Sequence, residues 1–209
     1  MRIIEGIKQK GQRIIIPDCS RDDLPQFFVE MGYKVGAEIG VYKGEFTKKL
    51  CDAGLKIYSI DPWRIYADYN NPRGQKRLDF QYEHTKRYLA GYLNCEIIRK
   101  TSMEALKDFP DESLDFVYID GNHIFRYIAE DIYEWAKKVR KGGVISGHDY
   151  AYATSRWCPC HVKYVVNAYI AYFKIQNWYL LGEGLDRNHP EDIEGKIRDK
   201  TRSWLWIKE

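Results

Sequence analysis

The stretch Ala37-Glu38-Ile39-Gly40-Val41-Tyr42-Lys43-Gly44 decides the fold. An apolar run closes on an acid and then meets two glycines, and a segment with Phe46 and Leu50 one helical turn apart follows before Gly54 stops it. That order is strand, glycine turn, helix, with glycine where the backbone must turn sharply and come close to a neighbour. Upstream, Asp22 and Asp23 with Pro25 in the first turn mark a helix start. Leu24, Phe27, Phe28 and Met31 give its buried face, and Gly32 ends it. Downstream, Lys56 to Ile60 is a second strand closing on Asp61-Pro62, where proline interrupts the ladder.

The alternation then continues. A loop over 62–75, carrying Asn70-Asn71-Pro72, leads into a helix from Gln75 to Tyr92, and Glu96 to Ile98 is the third strand. Met103 to Lys107 is a short helix and Leu114 to Ile119 a strongly apolar strand. Phe125, Ile128, Ile132, Trp135 and Val139 step at helical spacing up to Gly142-Gly143. Val144 to Ser146 is the fifth strand, and Val162 to Phe173 is helical. Trp178 to Leu181 and Trp204 to Ile207 complete seven strands. Strands separated by helices imply an α/β, doubly wound, mostly parallel sheet; the last two, with no helical pattern between them, pair antiparallel as a C-terminal edge hairpin.

Composition agrees with one soluble globular domain over 1–209: 44% of residues are apolar and 30% charged, and the net charge of +3 is too slight for a nucleic-acid footprint. Aromatic residues make up 15%, enough to line a pocket as well as a core. No apolar run is long enough to span a bilayer, and the segment Met1 to Gly11 carries charges where a secretory signal needs none, so a cytoplasmic, thiol-reducing setting is expected. The five cysteines are an odd number, which argues against a disulfide framework. Residues 1–20 read as an N-terminal extension, and 62–75 and 150–160 as substrate-side loops. Association of identical copies is allowed but not specified.

Ligands of such sheets bind beyond the carboxyl ends of the strands. Those ends carry Glu38, Gly40 and Gly44; Asp61; Ser102 and Met103; Asp120 to His123; and His148 to Tyr150. A carboxylate at Asp61 suits ribose hydroxyls, and with the glycine turn it points to a nucleoside-containing cofactor. Tyr42 and Lys43 stand where the nicotinamide fingerprint needs its later glycines. S-adenosylmethionine has no phosphate to cradle, and its sulfonium and amino group suit carboxylates such as Glu38 and Asp120.

Four ordered segments carry a resemblance: Ala37 to Gly44, Tyr58-Ser59-Ile60-Asp61-Pro62, Asp115 to His123, and Lys141 to Tyr150. Over Leu24 to Ile207 the chain resembles class I S-adenosylmethionine-dependent methyltransferases. Among them it is similar to small-molecule O-methyltransferases of the catechol and caffeoyl-CoA type and to bacterial sugar and macrolide-sugar O-methyltransferases. The resemblance implies a single Rossmann-like domain in which Glu38, Gly40, Tyr42 and Gly44 surround the methionine end, Asp61 holds the ribose, and Ser102 and Met103 flank adenine. Asp120 aligns with the family's metal-binding aspartate and borders the methyl donor. His123 stands where catechol-type enzymes place a lysine near the acceptor hydroxyl, and there it suits a general base.

The chain departs from that pattern after the fifth strand, where His148-Asp149 replaces Asp-Asn. Asp120 and Asp149 are expected to face each other across adjacent strands ~5 Å apart, as ligands of Mg²⁺ or Mn²⁺. His148 joins them only if the chain turns there. Cys158-Pro159-Cys160-His161 has no second ligand pair to complete a zinc site. Arg64, Tyr66, Tyr69 and Arg73, with Tyr150, Tyr152, Arg156 and Trp157, flank the mouth and suit a planar, glycosyl or anionic acceptor. Asp120 is not followed by the Pro-Pro-aromatic sequence of base and amide N-methylation, which argues against nucleic-acid acceptors. The expected activity is methyl transfer to a hydroxyl of a small molecule. A cofactor-binding module with a decayed acceptor site is the competing reading, and an RNA-directed methyltransferase a third.

Overall fold

A computed structural model describes residues 1–66, 74–154, 159–183 and 201–209. Helix α1 (Ile3–Gly6) and strand β1 (Ile14–Ile16) come first, then α2 (Leu24–Glu30), β2 (Val35–Ile39), α3 (Glu45–Asp52) and β3 (Lys56–Ile60). Next are α4 (Gly74–Tyr88), β4 (Cys95–Ile98), α5 (Ser102–Ala105), β5 (Leu114–Ile119), α6 (Phe125–Lys138) and β6 (Val139–Gly147). Finally come α7 (Val162–Tyr172), β7 (Trp178–Leu181) and β8 (Ser203–Ile207). Among the described residues no helix is long and apolar enough to cross a membrane.

The eight strands of the described residues form one sheet in the order β1-β7-β8-β6-β5-β2-β3-β4. Every neighbouring pair is parallel except the two that involve β8, which runs against both β6 and β7. Seven strands are expected from the sequence and eight are present among the described residues. The additional one lies inside the expected N-terminal extension, where Ile14 to Ile16 pair with Tyr179 to Leu181, so the C-terminal hairpin is one strand in from the edge. Its three residues are too few to show a period, and their partner is far along the chain.

Strand β5 is buried at all six positions, the mark of a central strand covered on both faces. Its side chains alternate between two cores. Phe116 and Tyr118 join Phe27, Phe28, Phe46 and Leu50 from α2 and α3 on one face. Val117 and Ile119 join Ile128, Ile132 and Trp135 from α6 on the other. Phe28 and Phe116 stack with ring centroids 3.9 Å apart, which fixes α2 on the sheet. In the 3₁₀ turn Arg21–Asp23 that leads into α2, the Ser20 side chain accepts from the Asp22 N–H and the Asp23 carboxylate accepts from the Ser20 N–H, so the cap sits one turn ahead of α2 itself. The carboxyl ends of β2, β3, β4, β5 and β6 open onto one side, and Gly40, Asp61, Ser102, Asp120 and Asp149 follow them.

Candidate active site

The turn after β2 is built by close approach. Gly40 has φ of +90°, and a Cβ there would lie 2.2 Å from the Asp120 carbonyl oxygen, so no other residue fits without moving the end of β5. Tyr42 follows with φ of +53°. Asp61 clamps this loop: its Oδ2 accepts from the N–H groups of Val41 and Tyr42, both at 3.0 Å, and its Oδ1 accepts from Trp63 N–H at 2.7 Å. Burial raises the Asp61 carboxyl above its ordinary pKa despite these three donors. From the far side the Trp63 indole N–H and the Thr85 hydroxyl both donate to the Tyr42 carbonyl. Gly44, also at positive φ, packs against Thr85 and Leu89 and serves this support rather than the ligand side.

A cavity of about 280 Å³ opens beside the loop, near the lower end for small-molecule sites. Gly40, Tyr42, Asp61, Ser102, Asp120 and His123 line it, as do Tyr66, Tyr127 and Asp131. Glu38 and Met103, expected at the cofactor, are not in this wall. Met103 packs against the core below. Glu38 is buried and accepts from the Thr47 hydroxyl of α3, and burial raises its pKa well above the carboxylate range against that bond. It ties the end of β2 to α3. Period two explains this, because a strand residue next to one that faces the cavity points to the opposite face.

Asp120 and His123, both in the cavity wall, converge with Asp149, which is not in that wall, each offering one ligand atom within 4.8 Å of the others. His123 Nε2 lies 3.4 Å from Asp120 Oδ1 and 3.3 Å from Asp149 Oδ2. Burial works against a charged ring, but hydrogen bonding to Asp120 and the charge of Asp149 outweigh it and raise the His123 pKa. Asp149 sits at φ of +53°, so the chain does turn after His148. His148 is not in the cluster of three; its Nδ1 is 3.5 Å from Asp149 Oδ1 on the side away from His123. Burial alone would raise the Asp149 carboxyl, yet His148, His123 and a hydrogen bond from Thr201 hold it well below its ordinary value. Arg21 Nη1 reaches Asp120 Oδ2 at 3.5 Å from the other flank.

Sequence reading missed Arg21, Thr201, Trp63 and Asp131. The first two arrive from segments remote in sequence, and Trp63 falls in the stretch expected as the 62–75 loop. Asp131 is hidden in the apolar stripe of α6, where it is 3% exposed, and burial raises its pKa to about 7 against hydrogen bonding to Ser102. Of the expected mouth residues, Arg64 and Tyr66 border the cavity or its rim, and Tyr66 meets Tyr127 edge to face at 4.9 Å. Tyr69, Arg73, Arg156, Trp157 and Cys158 lie outside the described residues. His161 Nδ1 accepts from Phe125 N–H at 2.9 Å, and Cys160 pairs with Ala153 in an isolated bridge, so both serve the loop's shape.

The model of a family described as "Methyltransferase domain" matches residues 37–150. An uncharacterized protein, y4gI, of Sinorhizobium fredii is 26% identical over 98 residues, which are 47% of this chain and 10% of that protein. The chain thus spans about a tenth of the curated relative it matches. Among solved structures, an O-methyltransferase from Bacillus cereus in complex with SAH superposes with a TM-score of 0.59 at 13% identity, over 90% of this chain and 80% of that one. The O-methyltransferase TomG from Streptomyces achromogenes, involved in tomaymycin synthesis and solved with SAM, gives 0.59 at 13%, over 90% and 79%. An rRNA methylase from Streptococcus thermophilus gives 0.56 at 15%, over 88% and 93%. At these identities the likeness is one of fold.

Proposed function

We propose that this chain, a member of the methyltransferase-domain family, takes the methyl group of S-adenosylmethionine and transfers it to a hydroxyl oxygen of a small molecule, a sugar or another polyhydroxylated or aromatic metabolite. The observation that carries this reading is the convergence of Asp120 and His123, in the cavity wall, with Asp149 beside them. O-methylation needs a proton acceptor beside the attacking oxygen, and this cluster supplies one. The bound donor supplies an electrophilic methyl on a sulfonium. Tyr42 and the backbone at Gly40 border the methionine end. Asp61 accepts a ribose hydroxyl through the one lone pair on Oδ1 that its backbone donors leave open; Oδ2 is already filled by two of them. Ser102 takes the base side.

His123 is the base in this reading: Asp120 and Asp149 face its buried Nε2 and stabilise the imidazolium, which leaves Nδ1 as the ring nitrogen that takes the acceptor proton. The two carboxylates also suit Mg²⁺ or Mn²⁺, which would be held by Asp120 and Asp149, with His148 orienting Asp149, and would lower the hydroxyl's pKa. Calorimetry with SAH tests the donor: micromolar binding is expected, and binding of NAD in its place overturns the reading. Turnover against pools of hydroxylated metabolites, read as SAH formed, tests the acceptor. EDTA should abolish turnover and spare SAH binding, with Mg²⁺ or Mn²⁺ restoring it; full activity in EDTA removes the ion and leaves His123 as base alone.

A further inference from the structure

Cys51 stands in the last turn of α3 and Cys95 is the first residue of β4, and both pack in the core on the α2 and α3 face of the sheet. Three side-chain bonds pin these two segments together. The Asn94 amide donates to the carbonyls of Cys51 at 2.9 Å and Leu55 at 2.8 Å, and the Tyr92 hydroxyl donates to Asp52 Oδ1 at 2.6 Å. Between those anchors the two thiols, both free, hydrogen-bond each other.

The pair is unequal. Cys51 is 4% exposed, whereas Cys95 is half-buried and lies 3.6 Å from the Ser59 hydroxyl. The hydrogen bond from Cys51 lowers the pKa of the Cys95 thiol against the effect of burial, and Ser59 adds to it; that same bond, with burial, raises Cys51. A thiolate within reach of solvent, backed by a buried thiol, matches an attacking cysteine and the cysteine that resolves it. Cys19 and Cys160, both buried, donate instead to backbone carbonyls, Cys19 to Met1 at 3.0 Å and Cys160 to Ala151 at 3.4 Å.

We propose that Cys51 and Cys95 form a reversible redox site, which a hydroperoxide closes into a disulfide. The Cys95 thiolate attacks one oxygen of hydrogen peroxide, the O–O bond breaks, and the departing oxygen takes a proton and leaves as water. Cys95 is then a sulfenic acid. The Cys51 sulfur attacks the Cys95 sulfur, the S–O bond breaks, and the hydroxyl leaves with the Cys51 proton as a second water. Two thiols lose two electrons and two protons in all, and the peroxide is reduced to two waters. A dithiol reductant reverses the change by exchange. The bond fastens the end of α3, the helix that follows the Gly44 turn, to β4 at the edge of the sheet.

The test treats the full chain with hydrogen peroxide, alkylates the remaining thiols in denaturant, and maps the peptides by mass spectrometry. Free thiols should fall from five per chain to three, with a Cys51 peptide joined to a Cys95 peptide, and dithiothreitol should restore both. Cys51→Ser should give no link and leave Cys95 as a sulfenic acid that dimedone traps, and Cys95→Ser should leave Cys51 reduced. Thermal melts check that the variants fold, and the mapping of the unaltered protein needs neither. Peroxide that leaves Cys51 and Cys95 reduced overturns the proposal. So does oxidation of Cys95 to the sulfinic acid with Cys51 still free, or a link between Cys158 and Cys160 in place of the expected one.

Discussion

A carboxyl buried among apolar side chains changes stability with pH in a way that a surface carboxyl does not. Asp131 titrates near 7 when folded and near 3.8 when unfolded, so between those values the folded chain holds the extra proton and stability falls as pH rises. Above about pH 7 the cost is complete. Asp131→Asn should therefore be more stable than the parent by roughly 2–4 kcal/mol at pH 8, and the gap should narrow steadily as pH drops toward 4. Urea melts of both proteins across that range check it; a gap that stays constant with pH would mean the carboxyl is not ionising in place. Gly40→Ala carries the opposite sign at every pH. Its Cβ would meet the Asp120 carbonyl at 2.2 Å in a conformation that disfavours side chains, and a loss of roughly 2–5 kcal/mol in the same melts is expected. Of these residues, Gly40, Asp61 and Asp120 are legible in the sequence because each ends a strand. Asp131 is not, because helical periodicity marks the face it sits on and says nothing about the acid within it. The placement of His123 between two carboxylates is equally hidden, since it depends on the left-handed turn at Asp149.

Element boundaries followed the sequence where apolar periodicity was long, as in α6 and β5, and failed at β1. Three isoleucines in a row offer neither alternation nor a turn signal, and their pairing with β7 depends on chain folded in between. The burial difference within β1 gives a direct test of its register. Ile16 is fully buried and packs over Gly6, whereas Ile15 is 44% exposed. Ile16→Ala should cost roughly 2–5 kcal/mol, and Ile15→Ala well under 1 kcal/mol, in equilibrium unfolding. Similar losses at both positions would show that the strand is not held as described. Asp61 is an element-scale residue too, since it ties the ends of β2 and β3 together. Sequence reading expects Asp61→Ala to weaken the cofactor while leaving the chain folded. Three backbone N–H groups lose their acceptor in that variant, so a stability loss of about 1–3 kcal/mol should accompany the weaker SAH binding. Differential scanning calorimetry without ligand separates the two effects.

At the scale of the molecule, the segment shared with the family holds the cavity wall apart from Pro159, while the residues that hold the site's carboxylates from outside, Arg21 and Thr201, lie before and after that segment. Arg21→Ala should leave SAH binding within about twofold and alter turnover, because the partner it removes belongs to Asp120 and not to the nucleoside end; a loss of SAH affinity larger than tenfold would place Arg21 at the donor instead. The topology itself was legible, because alternating strands and helices admit few sheets, and the mouth was less so, because loops over 62–75 and 150–160 carry no period. The width of the sheet has a colloidal side as well. Eight strands end on β1, three residues long, and on β4, four residues long with Arg99 and Lys100 immediately after it. Exposed edges are where chains template one another into aggregates, and the two ends of this sheet are short, one of them followed directly by positive charge. A crowded solution of this protein should consequently resist edge-to-edge fibre growth, although its interior strands are among the most apolar segments it has.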